Sequence, residues 1–208
     1  TWAEVGENPG SSSFPWMPLM HTYTGYMQTI SRGLQSRGFI EEVAGSYVTP
    51  GNITQGGGID QYGQISGFMN FEVGAQGQGA KYVLDGLDYG AANFNPEGDM
   101  GDCEMWELVM PALYLGRRIK PYTGGAGRHR GGSSPESLFL VHGTEEFELE
   151  NIGTGGMFCS PGIFGGYPAP STYVHNVHGS DVFELAKAGV SYPVGDGGGE
   201  VREMDAYG

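Results

Sequence analysis

The segment from residue 117 to residue 132 constrains this chain more than any other, because it combines clustered positive charge with clustered glycine. It reads RRIKPYTGGAGRHRGG and holds half of the Lys and Arg in the chain, which number 10 against 24 Asp and Glu. Glycine permits positive φ and a close approach of backbones, and grouped guanidinium ions suit carboxylates or phosphates. The segment is therefore either an anion-binding loop or a structural turn.

The candidate anion-binding side chains are the cationic residues of this segment and the histidine between them. They are Arg117, Arg118, Lys120, Arg128, His129 and Arg130. The structural alternative, in which these side chains pair with the chain's own acids, is slightly favoured because carboxylates are in excess. The pattern GxxxxGK[ST] is missing, so the loop is not a nucleotide-binding P-loop.

Composition predicts a folded, glycine-rich and loop-rich protein that is mainly β with a few helices (α+β). Glycine accounts for 39 of the 208 residues, well above the usual level of about 7%, but aromatic residues at 12% oppose disorder. The net charge of −14 argues against nucleic acid as a partner. No apolar run is long enough for a membrane span, and two separated cysteines suit a reducing cytoplasm.

The chain is expected to form a single segment, residues 1–208, with an extended lead-in over 1–20. A helix over 22–37 should bury one apolar face and end at Gly38; the face consists of Tyr23, Tyr26, Met27, Ile30 and Leu34. A β-rich region should follow over 39–180. A short helix and a tail should occupy 181–208.

Within the β-rich region, short apolar stretches over 39–95 suggest strands and irregular loops; they lie at 39–40, Ile65, 68–71 and 82–84. Three further stretches, at 112–120, 137–142 and 146–150, indicate strands. A short helix over 102–110 should have Asp102 as its N-cap and stop at Pro111. The last helix, over 181–188, should be capped by Ser180 and closed by Gly189.

An acidic cluster precedes and overlaps the short helix. It comprises Glu97, Asp99, Asp102, Glu104 and Glu107. These carboxylates could bind a hard divalent cation or act in acid–base chemistry. They could equally stabilise the helix N-terminus or pair with the arginine loop.

Histidine and cysteine give weaker signals. His175 and His178 stand three residues apart and precede Asp181 by six and three, but they lack a zinc-binding motif. Cys103 and Cys159 fit no nucleophile signature. The residues alone therefore assign no catalytic group and no metal ligand.

Three segments resemble the hydantoinase B family. They are EMWELVMPALYLGRRIK at 104–120, GGAGRHRGG at 124–132 and IFGGYPAPS at 163–171. The family includes the B subunits of N-methylhydantoinase, the C-terminal part of 5-oxoprolinase, and the large subunits of acetone and acetophenone carboxylases. The segments 37–43, 54–62 and 95–120 resemble the ketone carboxylase branch more closely, and they suggest the C-terminal-half portion of its large subunit.

The resemblance implies a subunit, or part of one, of a biotin-independent, ATP-dependent ketone carboxylase. Such enzymes phosphorylate bicarbonate and the ketone enolate and join them into a β-keto acid. ATP and Mg or Mn are then expected on partner subunits or on the remaining part of the same large subunit. The expected partners are that remaining part, a hydantoinase A-like nucleotide-binding subunit and a small zinc-binding subunit, all in the cytoplasm.

Two other functions stay open. The chain could belong to an ATP-dependent amidohydrolase of the N-methylhydantoinase or 5-oxoprolinase type, or it could be a non-catalytic assembly segment. Bicarbonate separates the first from a carboxylase, because only a carboxylase consumes it. In the carboxylase, bicarbonate, carboxyphosphate and enol phosphate are all anions, so we expect Arg128 or Arg130 to border an anion path.

Overall fold

The structure is a computed structural model of the whole chain, and it describes most but not all residues. The described ranges are 16–45, 52–72, 74–90, 101–153, 160–172, 174–189 and 200–204. For 16–21, 52, 152–153 and 200–204 only the backbone is described. The lead-in expected over 1–20 therefore lies outside the described residues up to residue 15.

The described residues form three α-helices and seven strands. The helices are α1 (Trp16–Ser36), α2 (Cys103–Val109) and α3 (Val182–Lys187), with a short 3₁₀ turn at Ile40–Glu42. The strands are β1 (Asn52–Ile59), β2 (Ile65–Asn70), β3 (Ala112–Ile119), β4 (Pro135–Val141), β5 (Phe147–Gly153), β6 (His175–His178) and β7 (Glu200–Met204). All pairings are antiparallel, in sheets ordered β2-β1-β5, β3-β4 and β6-β7. The mainly β, α+β prediction is confirmed.

Helix α1 begins earlier than the sequence pattern predicted. It starts at Trp16 rather than Thr22 and includes Pro18 in its first turn. Proline is tolerated there because the N–H that it lacks would have no partner within the helix. The predicted end is confirmed: Gly38 has φ +85°. Its N–H donates to Gln35 O and the Phe39 N–H donates to Leu34 O, which is a Schellman motif.

The apolar face of α1 does not point where the prediction placed it. Tyr23, Tyr26 and Ile30 are 37%, 57% and 39% exposed, whereas Thr24 and Ser31 are buried. The polar side of the helix is drawn inward because the Ser31 hydroxyl donates to Ala44 O (2.8 Å). Within the described part of the chain, the prediction of a buried apolar face is therefore wrong for these three side chains, whereas Met27 and Leu34 of the same face are half-buried.

The sheet β2-β1-β5 has a glycine-rich central strand that the sequence pattern did not predict. Gly56 pairs with Phe68 on one side and with Leu149 on the other. A Cβ on Gly56 would overlap the Glu148 carbonyl oxygen, so the close strand approach requires glycine here. Phe68 and Phe147 stack with ring centroids 5.6 Å apart.

Strands β3 and β4 follow α2 and carry the basic segment. The predicted cap is confirmed, because the Asp102 side chain accepts from the Glu104 N–H. The chain then passes through the buried Met110 and Pro111 into β3, whose pairing with β4 shifts register between Tyr114 and Gly116. This places the basic end of β3 against the start of β4.

Other predicted elements need correction. Of the stretches expected to form strands or irregular loops, residues 82–84 form bends, and Lys81 makes an isolated bridge with Ala44. The tail expected after α3 contains β7. Ser180 does accept from the Val182 N–H, but Asp181 holds the N-cap position. No helix in the described ranges is long and apolar enough to cross a bilayer.

Candidate functional site

The first cation of the basic segment, Arg117, lies inside the protein and braces three parts of it. Its Nη2 is 2.5 Å from Glu72 Oε2, and its Nη1 donates to Gly101 O (2.7 Å). The guanidinium lies 4.7 Å from the centroid of the Tyr114 ring. Glu72 is only 3% exposed, so this ion pair is largely withdrawn from solvent.

The surroundings of Arg117 form a buried polar network. Asn70 Nδ2 donates to the Tyr114 hydroxyl (2.7 Å), and the Tyr114 N–H donates to Glu107 Oε1 (2.7 Å). Burial and then the hydrogen bond with Glu72 raise the pKa of Tyr114. Burial alone would lower the pKa of Arg117, but the charge of Glu72, together with the hydrogen bonds to Glu72 and Tyr114, raises that pKa overall. The network favours charged Arg117 and neutral Tyr114.

Arg118 and Lys120 share one carboxylate on the neighbouring strand. Arg118 Nε is 2.5 Å from Glu136 Oε2, and Lys120 Nζ is 2.8 Å from Glu136 Oε1. Burial acts to raise the pKa of Glu136, but the hydrogen bonds from Lys120 and Arg118 lower it overall. These two cations therefore join β3 to β4.

The glycines after Lys120 let three loops pack backbone against backbone. The Gly86 N–H donates to Arg130 O, the Gly132 N–H to Gln78 O and the Tyr167 N–H to Ala126 O, each at 2.8 Å. A Cβ on Gly132 would overlap the Leu87 carbonyl oxygen. The glycine cluster thus fixes the shape of the loop.

Two aspartates hold the far end of this loop. Arg130 Nη1 is 2.7 Å from Asp88 Oδ1, and the Ser133 N–H donates to the same oxygen (2.6 Å). The hydrogen bond from Arg130 and then that from Ser133 lower the pKa of Asp88. Asp85 accepts from the Arg130 N–H (3.0 Å), and its Oδ1 lies 3.5 Å from His129 Nδ1.

Arg128 differs from the other cations of the segment. It is exposed, and within the described ranges its guanidinium meets no carboxylate. The candidate set is thereby divided: Arg117, Arg118, Lys120, His129 and Arg130 contact acids of the protein, and Arg128 projects from the loop. Arg128 is the side chain that could meet an external anion without first breaking an internal ion pair.

The predicted acidic cluster is only partly described, because Glu97 and Asp99 lie outside the described residues. Asp102 caps α2, and Glu107 accepts from the Tyr114 backbone. The carboxylates that pair with the basic segment come from elsewhere; they are Glu72, Asp85, Asp88 and Glu136. The sequence carried no signal for them, since each is an isolated acid remote from its partner or on the facing strand.

The structure brings no metal site together in the ranges it describes. His175 and His178 lie exposed at the two ends of β6, and Asp181 begins α3. Across the described part of the chain, no group of three or more His, Cys, Asp or Glu could hold a metal ion. Cys103 has a free, half-buried thiol whose pKa is raised by burial. Cys159 lies outside the described residues.

Fold and site together define a glycine-rich α+β segment whose basic loop is held in place by ion pairs with acidic residues of the same chain. Its sequence matches the family model for hydantoinase B/oxoprolinase over residues 17–203. The chain belongs to this family, and the predicted resemblance is confirmed.

The relatives are ketone carboxylase proteins. The chain is 40% identical over 195 residues to the acetone carboxylase alpha subunit of Xanthobacter autotrophicus (strain ATCC BAA-1158 / Py2), covering 94% of this chain and 25% of that subunit. Among solved structures, it resembles a nucleotide-free acetone carboxylase, described for the mechanism of ATP-dependent acetone carboxylation. The TM-score is 0.81 at 42% identity, over 88% of this chain and 24% of that one. The chain thus spans about a quarter of the length of these relatives.

Proposed function

We propose that this chain is part of the large subunit of an ATP-dependent, biotin-independent ketone carboxylase. The observation that carries the proposal is 40% identity to an acetone carboxylase alpha subunit along 94% of the chain. The substrates are bicarbonate and a small ketone such as acetone or acetophenone, and the product is a β-keto acid. The complex is heteromeric and cytoplasmic, with a hydantoinase A-like subunit and a small zinc-binding subunit.

The described residues contribute a scaffold and one external cation to this chemistry. The sequence lacks the P-loop pattern, and the described residues hold no cluster of metal-ligating side chains; both observations support our proposal that ATP and Mg or Mn bind elsewhere in the complex. Bicarbonate and the phosphorylated intermediates are anions, and the exposed guanidinium of Arg128 suits them. Arg130 is a weaker candidate because it already binds Asp88.

The test of the reaction is incorporation of labelled bicarbonate by the purified complex that contains this chain. With ATP and a ketone, we expect label that survives brief cold acidification, which removes unreacted bicarbonate as CO2, and that is released when the acidified β-keto acid is heated. The loss of ATP should depend on the ketone. Avidin should not inhibit the reaction. Failure of every ketone to support label incorporation would contradict the proposal.

A second candidate function follows from the family itself, which includes oxoprolinase. In that case the complex would open a cyclic amide with ATP and would not need bicarbonate. The same preparation, assayed with a hydantoin and with 5-oxoproline in bicarbonate-free buffer, distinguishes the two reactions. A third outcome, binding of partner subunits by an assembly whose turnover needs no group from this chain, fits a non-catalytic segment.

Substitution of Arg128 tests the contribution of this chain to catalysis. A hydrogen bond to a charged group contributes about 1.5–3 kcal/mol, so Arg128→Ala should lower kcat/KM for bicarbonate roughly ten- to hundredfold. Arg128→Lys should restore part of the loss. Arg37→Ala removes another exposed arginine, at the end of α1, and should change nothing. Wild-type kinetics in Arg128→Ala would reduce the loop to a structural role.

A further inference from the structure

Helix α1 presents its apolar ridge away from the rest of the described protein. Successive helical residues are about 100° apart, so the ridge of Tyr23, Tyr26 and Ile30 stands roughly a third of a turn from Thr24 and Ser31. The ridge is exposed and these two polar residues are buried. Phe39, just beyond the helix, is 58% exposed. In this orientation the described protein covers the polar side of the helix and leaves the apolar ridge exposed.

The exposed side of α1 also lacks charge. In an acidic chain, no Asp or Glu occurs between residues 8 and 40, and Arg32 is the only Lys or Arg within the helix. Its guanidinium lies 5.4 Å over the ring of Phe164; this arginine is exposed, but it stands in line with Gly25, on the side of the helix away from the ridge. A helix face meant for water normally carries charged residues. The composition of this face is that of a buried surface.

Two glycines create a shallow groove on the exposed side of α1. Gly25 and Gly33 lie inside the helix, and a Cβ at either position would meet no atom within 4 Å. Glycine weakens a helix interior relative to alanine, and nothing in the described ranges requires it at these sites. Together with the exposed Thr29 between them, they leave a shallow groove along which another backbone could approach closely.

The described part of the chain buries few apolar side chains, and none of them covers the apolar ridge of α1. The buried apolar residues are Val43, Ile53, Ala75, Met110 and Ala112, together with Pro111. The acetone carboxylase alpha subunit is about four times as long as the aligned segment, which covers 25% of it. Uncharged, apolar surfaces of this kind are typical of permanent contacts. In a polypeptide as long as that relative, the residues outside the aligned segment could cover the ridge.

We infer that the ridge and groove of α1 pack against a helix from another part of the same polypeptide, outside residues 1–208. This inference rests on the proposed function, in that the chain is taken as one portion of a long carboxylase-type subunit. The occupant must be apolar, without a charge facing the ridge, and must bring a backbone against Gly25 and Gly33. A second copy of the chain and a separate subunit are the competing occupants.

Chemical footprinting of the purified complex tests whether the ridge is covered. Tyr26 is 57% exposed, so without a cover it should react with hydroxyl radicals at about half its rate in the urea-unfolded protein. With the inferred contact, we expect its rate to fall at least tenfold below the unfolded rate. Tyr62, 63% exposed in the β1–β2 turn, is the matched control and should retain about half its unfolded rate. A half-maximal rate at Tyr26, or equal protection of both tyrosines, would overturn the inference.

Photo-crosslinking identifies the occupant. With p-benzoylphenylalanine at position 26 of the full polypeptide, we expect crosslinked peptides from the same polypeptide outside 1–208, and no new band of higher mass. Crosslinks to a second copy or to another subunit would contradict the inferred occupant. Because neither footprinting nor crosslinking measures turnover, a complex that carboxylates no ketone would refute the proposed function and leave this result interpretable.

A pair of glycine substitutions guards against simple misfolding. Gly33→Leu fills the groove, whereas Gly116→Leu adds the same side chain where a Cβ also meets no atom within 4 Å. In the full polypeptide, we expect Gly33→Leu to raise the labelling rate of Tyr26 severalfold and Gly116→Leu to leave it unchanged. Equal behaviour of the two variants would mean that nothing packs along the groove.

Discussion

The guanidinium of Arg117 binds Glu72, which is 3% exposed, and reaches the Gly101 carbonyl. An exposed pair such as Lys187–Glu184 has side chains that are 70% and 74% exposed. The two pairs have similar geometry but different environments. Burial determines how much stability is lost when one partner is removed, because the remaining partner of a buried pair is then an uncompensated charge.

Replacement of Arg117 should therefore be costly. We expect Arg117→Ala to lower the free energy of unfolding of the region around β3 by about 3–5 kcal/mol, since Glu72 is left charged and buried. Adding Glu72→Gln should recover much of this loss. In the control Lys187→Ala, the loss should be about 0.5 kcal/mol or less. Urea unfolding gives the comparison, and equal small losses would show that the buried pair is not a brace.

The second prediction at this scale concerns Asp88, whose pKa is lowered first by the hydrogen bond from Arg130 and then by that from Ser133. A lowered pKa in the folded state means that the carboxylate stabilises the fold above its ordinary pKa of about 3.9. This contribution is lost as the pH falls through the lowered value.

Hydrogen exchange of the Ser133 and Arg130 amides measures the effect of Asp88. Asp88→Asn should weaken protection at pH 7, and the difference from wild type should shrink as the pH falls below about 4. Asp181→Asn serves as the control, because the Asp181 side chain makes no capping hydrogen bond. A difference that is constant with pH would exclude the charge of Asp88 as its cause.

At the scale of elements, sequence pattern predicted those whose signals are local. The Asp102 cap, the Pro111 stop and the Gly38 end all depend on residues within one turn, and all are confirmed. Strand β1 was missed because its glycines, which favour loops when considered alone, are required by the neighbouring strands. The ion-pair partners Asp85 and Asp88 lie far along the chain from Arg130, and only the fold brings them together.

The loop glycines give a prediction at the same scale. A Cβ on Gly132 would overlap the backbone of Leu87, so Gly132→Ala should force the loops apart and destabilise them by about 1–3 kcal/mol. Gly116→Ala adds the same methyl group into open space and should have little effect. Amide exchange at Gly86 and Gly132 is the measurement. Unchanged exchange in Gly132→Ala would mean that the loops do not pack backbone against backbone.

At the scale of the whole molecule, burial and exposure are out of balance. The buried apolar set in the described ranges is small and includes two alanines, Ala75 and Ala112. Large apolar side chains remain exposed on the surface, among them Ile65 at 89%, Tyr167 at 73% and Leu87 at 59%. The free energy of unfolding of a domain is only about 5–15 kcal/mol. A segment that leaves this many apolar side chains exposed therefore loses most of its net stability.

We therefore expect residues 1–208, expressed alone, to bind the hydrophobic dye ANS and to unfold in urea over a broad transition. The full polypeptide should bind little dye, because the surfaces exposed here are then covered. The steepness of the urea transition scales with the surface that unfolding exposes, so the isolated segment should also show a low m value for its length. A sharp transition without dye binding would mean that the segment is a self-sufficient domain, and that the exposed α1 ridge needs no cover from the rest of the polypeptide.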